Sequence, residues 1–494
     1  MQHSPPQKSV KRKHIIGLLS VAIYAILIFT IPPLLFDKNI SPILAISTII
    51  MISVYILLAL EIIHRSVLTI LFAIIITISA VVLGSISAKD SLDFIIDSID
   101  FNTIGLLLGM MIIVAILGET GIFHWVGIRL GKASKGNLWK LMLLLCSFTA
   151  VASMFIDNVT TILLMIPVTL SITRTLKVNP IPFIISQVLV SNIAGAATLI
   201  GDPPNILIGS AAGIDFNTFV IHMGPTMAII FVISLLLLRV LFRKELVQQE
   251  HLEKESDIHD LMERDENKIL KVNKNMLIKA IIILIGVIVL FSLQGITNLE
   301  VSIIALGGAA VLLVISKINF EKILHEVDWS TLLFFAGLFV IVGVAEHAGL
   351  INILAKVTID ITAGNPWLTF TLIIWLSGIA SAFVDNIPFT TTMIPLIDSL
   401  ISTTPSIASF TTSSYGNGDS QTNPLWWALA LGADLGGNGT LIGSSAGVVA
   451  AGLSMKFGHS ISFMRWFKIG FPFMLITLAI GTFVLPMILL LIGR

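Results

Sequence analysis

Two dipeptides, Asp157-Asn158 and Asp385-Asn386, set a carboxylate beside a carboxamide within stretches that are otherwise apolar. An ionised side chain at the centre of a membrane helix costs roughly 2.5–3.5 kcal/mol on insertion scales. Two of them, charged and unpartnered, would cost on the order of 5–7 kcal/mol. No Lys or Arg lies near either Asp in the sequence. A bound cation, a proton or local water would offset the cost. The Asn adds a carbonyl acceptor and two amide hydrogens, and such an all-oxygen acceptor set suits a small hard cation, so Na⁺ at Asp157, Asn158, Asp385 and Asn386 is the expectation. The hydroxyls of Thr160, Thr161, Thr390 and Thr391 could add ligands, although Thr in a membrane helix usually bonds its own backbone. The plain structural alternative is that each Asp caps the helix after it, Asp157 before Val159-Thr160-Thr161 and Asp385 before Ile387-Pro388. The two roles are compatible, because the tip of a broken helix is where ion sites are built.

A second element recurs beside each dipeptide. Residues 191–205 read SNIAGAATLIGDPPN and residues 432–445 read GADLGGNGTLIGSS. Gly permits close backbone approach, and Pro203-Pro204 prevents a continuous helix. Polar groups at such breaks face a cavity and not lipid. The candidate ligands here are Asn192, Thr198, Asp202 and Asn205 in the first break, and Asp434, Asn438, Thr440 and Ser444 in the second. Each break carries an Asp, so the two are expected to complete two matching half-sites. Helix N-termini after the breaks could hold an anion.

These elements belong to an internal repeat. Asp100 matches Asp328 at an offset of 228 residues, and at that offset Gly109 matches Gly337, Gly121 matches Gly349 and Ser153 matches Ser381. The same offset pairs Asp157-Asn158 with Asp385-Asn386 and Met165-Ile166-Pro167 with Met393-Ile394-Pro395. It holds without a gap for nearly seventy residues, and the matches include Asp, Asn, Gly and Pro, which chance likeness between apolar segments would not supply. Thr198-Leu199-Ile200-Gly201 then matches Thr440-Leu441-Ile442-Gly443 at an offset of 242. The extra residues fall in the polar loop 403–424, read as a solvent loop.

Composition supplies the surroundings. Of 494 residues, 56% are hydrophobic and 12% charged, against about 25% charged in a soluble domain. The bilayer must be the solvent for most of the chain. A formal net charge of zero gives no reason to expect nucleic acid as a partner. The single Cys146 excludes an internal disulfide and a cysteine-built metal site. Clear spans are expected at 15–36, 41–60, 66–86, 101–118, 217–242, 276–293, 298–316, 329–346 and 464–492. Interrupted apolar stretches run over 138–156, 159–175, 181–200, 366–384, 387–402 and 425–454, the mark of hairpins and discontinuous helices in carriers. The organisation expected is a cytoplasmic N-terminus (1–14), a first transmembrane repeat with an extra first helix (15–242), a charged cytoplasmic linker (243–275) and a second repeat (276–494). Lys8, Lys11, Arg12 and Lys13 precede the first span, which places the N-terminus inside by the positive-inside rule and reads as a retained helix and not a signal peptide. Arg129, Lys132, Lys135 and Lys140 point to the same side. The fold class is an all-α polytopic membrane protein of two repeats. Each has about five transmembrane helices with re-entrant hairpins and broken helices. Five is odd, so the repeats are inverted, with the site near the midplane between them.

The runs Asp157-Asn158-Val159-Thr160-Thr161, 191–205, Asp385-Asn386-Ile387-Pro388-Phe389 and 432–443 closely resemble the arsenite permease/P-protein family of the ion transporter superfamily, over about residues 15–492. Relatives in that superfamily include sodium/dicarboxylate and citrate carriers and sodium/proton antiporters. The resemblance implies a scaffold part, a mobile transport part, a homodimer in the plasma membrane and elevator-type movement. In the dicarboxylate carriers a Ser-Asn-Thr motif contributes to sodium and carboxylate binding. Here the matching positions read Asp157-Asn158-Val159 and Asp385-Asn386-Ile387, with acid in place of hydroxyl, which favours cation or proton coupling over a carboxylate substrate. Ser444-Ser445-Ala446-Gly447 also departs from the family pattern, towards that of the antiporters. One cysteine is too few for a three-thiolate arsenic site.

The leading functional expectation is therefore a secondary active permease for an inorganic or small anion, or an arsenite-like oxyacid, coupled to H⁺ or Na⁺ and needing no other cofactor. The alternative is a Na⁺/H⁺ antiporter using the same aspartates, and a passive anion channel comes third. An enzyme is not expected: the residues before Asp157 and Asp385 lack the Gly-x-Gly-Asp pattern of intramembrane aspartyl proteases. No phosphate-binding Gly-x₄-Gly-Lys-Ser/Thr loop is present, so any ATP drive would come from a separate ATPase subunit.

Overall fold

The computed structural model describes residues 41–60, 62–249, 272–410 and 423–492. The expected extra first helix, nearly all of the linker beyond residue 249 and most of the loop 403–424 lie outside the described residues. Within them the chain is helical throughout. The first half runs α1 (Pro42–Leu60), α2 (Arg65–Val82), α3 (Ser91–Ser98), α4 (Phe101–Glu119), α5 (Ile122–Ser134), α6 (Leu138–Ser153), α7 (Asn158–Thr175), α8 (Ile181–Gly195), α9 (Pro203–Ala212), α10 (Phe216–Leu241) and α11 (Arg243–Gln249). The second half runs α12 (Lys274–Ser292), α13 (Gln294–Thr297), α14 (Val301–Ser316), α15 (Phe320–Glu326), α16 (Trp329–His347), α17 (Leu350–Thr362), α18 (Pro366–Phe383), α19 (Asn386–Thr403), α20 (Pro405–Ala408), α21 (Pro424–Gly436), α22 (Ser445–Lys456) and α23 (Phe463–Ile492).

Eight helices among the described residues are long and apolar enough to cross a membrane: α1, α2, α4, α10, α12, α16, α18 and α23. The chain is an all-α polytopic membrane protein. Two expectations shift in detail. The stretch 298–316 forms only the 16-residue α14, and 366–384, expected to be interrupted, is the unbroken 18-residue α18.

The repeat is visible in the helix boundaries. At the 228-residue offset α4 maps onto α16, α5 onto α17 and α7 onto α19, end for end. Asp100 caps α4 through the Asn102 and Thr103 N–H groups (2.9 and 3.0 Å), and Asp328 caps α16 through Thr331 N–H (3.1 Å). Gly121 and Gly349 turn the chain in the left-handed region (φ 78° and 88°), which a side chain would resist.

Packing is crosswise between the halves. Helix α2 lies on α16, and α14 lies on α4. A Cβ on Gly337 would sit 2.7 Å from the Thr69 carbonyl carbon, and one on Gly109 would sit 2.5 Å from that of Ala305. Without a hydrophobic force between helices in lipid, such backbone contact supplies the attraction. Polar clasps obey the same exchange: Ser302 N–H donates to Asn102 Oδ1 (3.1 Å), and Ser66 Oγ donates to the Ser330 carbonyl (2.6 Å). These pairs hold the outer helices. The inner helices α6–α9 and α18–α22 form two hairpins and two broken helices that meet at the centre.

Candidate functional site

Asp157 and Asp385 stand at the tips of the hairpins α6/α7 and α18/α19. Each accepts from the helix it starts, Asp157 from Thr160 N–H (2.9 Å) and Asp385 from Ile387 N–H (3.2 Å). Capping is thus part of their role. Each tip is sewn to the break of its own broken helix. Thr198 Oγ1 donates to the Met154 carbonyl (2.5 Å), Asn158 N–H donates to the Gly201 carbonyl (3.1 Å), and Thr440 Oγ1 donates to the Ala382 carbonyl. Ser153 and Ser381 bond the carbonyls of Ser191 and Ala433 in the same way (2.9 and 2.7 Å). Thr198 and Thr440 are therefore spent on assembling the tips. Thr161, Thr390 and Thr391 donate to the carbonyls of Ile156, Asn386 and Ile387 in or beside their own helices. Thr160 lines a cavity together with Asp157.

Between the tips lies a buried network of side-chain amides and carboxylates. Asn158 Nδ2 donates to Asp202 Oδ2 (2.5 Å) and Asn192 Oδ1 (3.1 Å), and Asn386 Nδ2, from the other half, donates to Asp202 Oδ1 (3.3 Å). Asn192 Nδ2 crosses back to Asn438 Oδ1 (3.0 Å) and Ser444 Oγ (3.2 Å), and Asn438 Nδ2 donates to the Leu189 carbonyl (3.2 Å). Asn205 Nδ2 donates to the carbonyls of Gly195 and Thr198 (3.3 and 3.2 Å). Each amide has two hydrogens to give, and Asn158, Asn192 and Asn205 have given both. Turning the Asn205 amide over would set its oxygen against two carbonyls, so its orientation is fixed by its partners.

What remains is an excess of acceptors. Both carboxylate oxygens of Asp434, Oδ1 of Asn158 and Oδ1 of Asn205 are buried and accept no well-formed hydrogen bond among the described residues; the Asn205 amide beside Asp434 is directed at two carbonyls. Asp434 and Asn205 are wholly buried, and Asp202 is 1% exposed. The carboxylates of Asp434, Asp385 and Asp157 all lie near enough to act on that of Asp202. At each tip and each break one helix ends where another begins, so their end charges oppose and offset little of this. A buried carboxylate left unpaired costs several kcal/mol. The geometry therefore presents oxygen ligands and negative charge that a small cation or a proton would satisfy.

The two breaks do not match as the sequence reading expected. The 242-residue offset pairs Asp202 with Ser444 and Asp434 with Asn192. Asp202 and Ser444 hold the same backbone conformation before α9 and α22 (φ −143° and −141°), but only Ser444 caps its helix, through Gly447 N–H. Freed from capping, Asp202 faces the two hairpin-tip asparagines. One carboxylate per break is correct, but they sit at non-equivalent positions.

Sequence reasoning also missed a cation. Arg65, at the start of α2, reaches Asp385 (Nη1 to Oδ2, 3.9 Å) and donates to Ser445 Oγ (2.6 Å), which itself donates to Asp385 (2.7 Å). Its other nitrogen donates to Thr331 Oγ1 (2.7 Å) and lies 3.6 Å from Asp328. A lone Arg at the head of an apolar span was the available signal. Arg65 and Ser445 line both a cavity of about 310 Å³ that contains Asp157 and one of about 530 Å³ that contains Asp385. A third cavity, of about 710 Å³, is the repeat counterpart of the first: Phe339, Val342 and Gly343 line it where Met111, Val114 and Ala115 line the smaller one.

Hairpins, broken helices and crosswise packing together define a membrane carrier of two inverted repeats, and comparison with known proteins agrees. The family model described as "Citrate transporter" matches residues 55–432, so the chain belongs to that family of membrane transporters. It is 40% identical over 383 residues to a "46 kDa membrane protein" of Mycobacterium leprae, covering 78% of this chain and 85% of the relative. It is 37% identical over 421 residues to an "uncharacterized transporter" of Mycobacterium tuberculosis, covering 85% and 93%. It is 35% identical over 503 residues to the P protein of Mus musculus, covering 87% of this chain and 59% of that protein. Among solved structures the YdaH transporter of Alcanivorax borkumensis, described as having an unusual topology, shares the fold with a TM-score of 0.52 at 14% identity, covering 82% of this chain and 89% of that one. The family is one of transporters, not enzymes.

Proposed function

We propose that the chain is a cation-coupled secondary active transporter, with Na⁺ or H⁺ as the coupling ion held among Asp202, Asp434, Asn158 and Asn205. One observation carries this reading: the wholly buried Asp434 carboxylate accepts no well-formed hydrogen bond, and the amide oxygen of its neighbour Asn205 accepts none either. Four carboxylates, those of Asp157, Asp202, Asp385 and Asp434, approach the centre, and Arg65 reaches one of them, Asp385. The cargo moved with or against the cation is an inorganic or small anion, or an arsenite-like oxyacid. Elevator-type movement would carry the hairpins and broken helices past the crosswise-packed outer helices.

Na⁺/H⁺ antiport on the same carboxylates is the second reading. It is favoured by the way Arg65, the cation at the site among the described residues, is already engaged by Asp328 and Asp385, which leaves little positive charge for an anion. A proteoliposome flux screen separates the two. Arsenite, chloride and citrate are offered under imposed Na⁺ and pH gradients, and Na⁺ and Li⁺ are offered under a pH gradient alone. Anion flux that follows the cation gradient supports the first reading, and cation-for-proton exchange without an anion supports the second. Ion flux with no coupling to any gradient overturns both. Homodimerisation, plasma-membrane location and a cytoplasmic N-terminus belong to the same proposal.

A further inference from the structure

The duplicated hairpin tips differ in one respect that bears on how many cations the site takes. Asp385 has a resident partner and Asp157 does not. The Arg65 guanidinium lies over the Phe334 ring (5.6 Å to its centre), is held by the Thr331 and Ser445 hydroxyls, and spans the gap between Asp328 and Asp385. The contact to Asp385 is completed by the Ser445 hydroxyl, which accepts from Arg65 and donates to the carboxylate. Asp157 lines the 310 Å³ cavity and accepts only from the first turn of its own helix, and no cationic nitrogen among the described residues is within ion-pair distance of it. The repeat explains why. Aligning the starts of α2 and α14 puts Val301 where Arg65 stands, and the 242-residue offset puts Pro203 where Ser445 stands. Neither the charge nor the bridging hydroxyl exists on the Asp157 side.

We propose that Arg65 is the resident counter-cation of Asp385, so that of the two hairpin-tip carboxylates only Asp157 is open to a mobile cation. This rests on the reading of the site as cation-binding and deepens it. It assigns Arg65 a positioning role: the guanidinium takes the place that a bound cation would otherwise fill at Asp385. It also ties α22 and the second hairpin to α2 and α16, the outer helices that carry Arg65, Thr331 and Asp328.

The test counts cations. Purified full-length chain in detergent is equilibrated with isotopic Na⁺, and proton uptake on acidification is measured with an indicator dye. The charged groups facing Asp385 are Arg65 and, more distantly, Asp328 and Asp202, with His64 on the cavity wall; those facing Asp157 are Asp328 and Asp202, with Glu119, Glu326 and, beyond ion-pair distance, Arg65 on its cavity wall. Arg65→Gln is expected to bind one more monovalent cation per chain, Na⁺ and H⁺ taken together, than the unmodified protein. The double variant Arg65→Gln/Asp385→Asn is expected to return to the original number. An unchanged number in monodisperse Arg65→Gln overturns the proposal. A second measurement needs no variant: dicyclohexylcarbodiimide adds to protonated carboxyl groups, taking up their proton, so at a pH where the open site is protonated it should label Asp157 and spare Asp385, which the Arg65 ion pair keeps as carboxylate, in a peptide map. Equal labelling of both overturns the proposal. The underlying reading has its own arm, because Asp434→Asn should bind fewer cations. If it does not, cation binding at that site fails whatever Arg65→Gln does.

Discussion

The two half-sites began as copies and now divide the work. Everything that builds them is duplicated: the capping aspartates Asp100 and Asp328, the close-approach glycines Gly109 and Gly337, and the threonines Thr198 and Thr440 that sew tip to break. The charges are not. The first break keeps its carboxylate at the helix-start position, Asp202, where the second has Ser444; the second keeps its carboxylate one helix end earlier, at Asp434, where the first has Asn192. Of the two tip carboxylates, Arg65 pairs with Asp385 alone. The fold tolerates this because cap, clasp and glycine contacts need two-fold geometry, whereas ligation at the axis needs only that oxygens from both halves arrive at one place.

The largest effect should come from Asp434→Asn, with cation-driven flux in proteoliposomes falling by about 100-fold or more. Adding Asn192→Asp to that variant moves the carboxylate to the equivalent place across the pseudo-two-fold axis. No rescue is expected, because Asn192 must donate to both Asn438 and Ser444. Rescue would mean that the halves are interchangeable and would break the comparison.

A smaller contrast lies in the glycines behind the tips. A Cβ on Gly201 would meet the carbonyl oxygens of Gly195 and Ser153 at 2.5 and 2.6 Å, whereas one on Gly443 would meet those of Ser381 and Ala382 at 3.0 Å each. Overpacking of this kind costs typically 1–3 kcal/mol. Gly201→Ala should therefore lower the apparent Tm of the purified protein by several degrees, and Gly443→Ala by clearly less. An equal loss would show that the two breaks are equally tight.

The smallest effect separates the outer caps. Asp100→Ala and Asp328→Ala each remove a capping carboxylate, worth about 1 kcal/mol. Asp328→Ala also frees one side of the Arg65 fork. Thermal melts should place Asp328→Ala slightly below Asp100→Ala, and identical melts would indicate that the Arg65 contact adds nothing to stability.

Much of this was legible in the sequence. An Asp-Asn pair inside an apolar stretch is conspicuous because it is expensive, and Gly and Pro punctuate the breaks unmistakably. The repeat offset placed both tips before any coordinates. The same offset also contained the mismatch of Asp202 with Ser444, hidden only because each break holds an Asp and the eye pairs like with like. Arg65 was illegible for a different reason: it meets Asp385 through a crosswise contact between halves, and no local spacing reports such a contact. Nor could sequence reveal that Asn205, the amide beside Asp434, directs both its hydrogens at carbonyls.

The central claim is that a mobile cation is held at Asp434. Current transients recorded on a solid-supported membrane after a Na⁺ jump and after a pH jump test it most directly. The account predicts a transient from the unmodified chain in at least one of the two jumps, and its loss in Asp434→Asn. No transient in either jump, or one of the same size in Asp434→Asn, would contradict it.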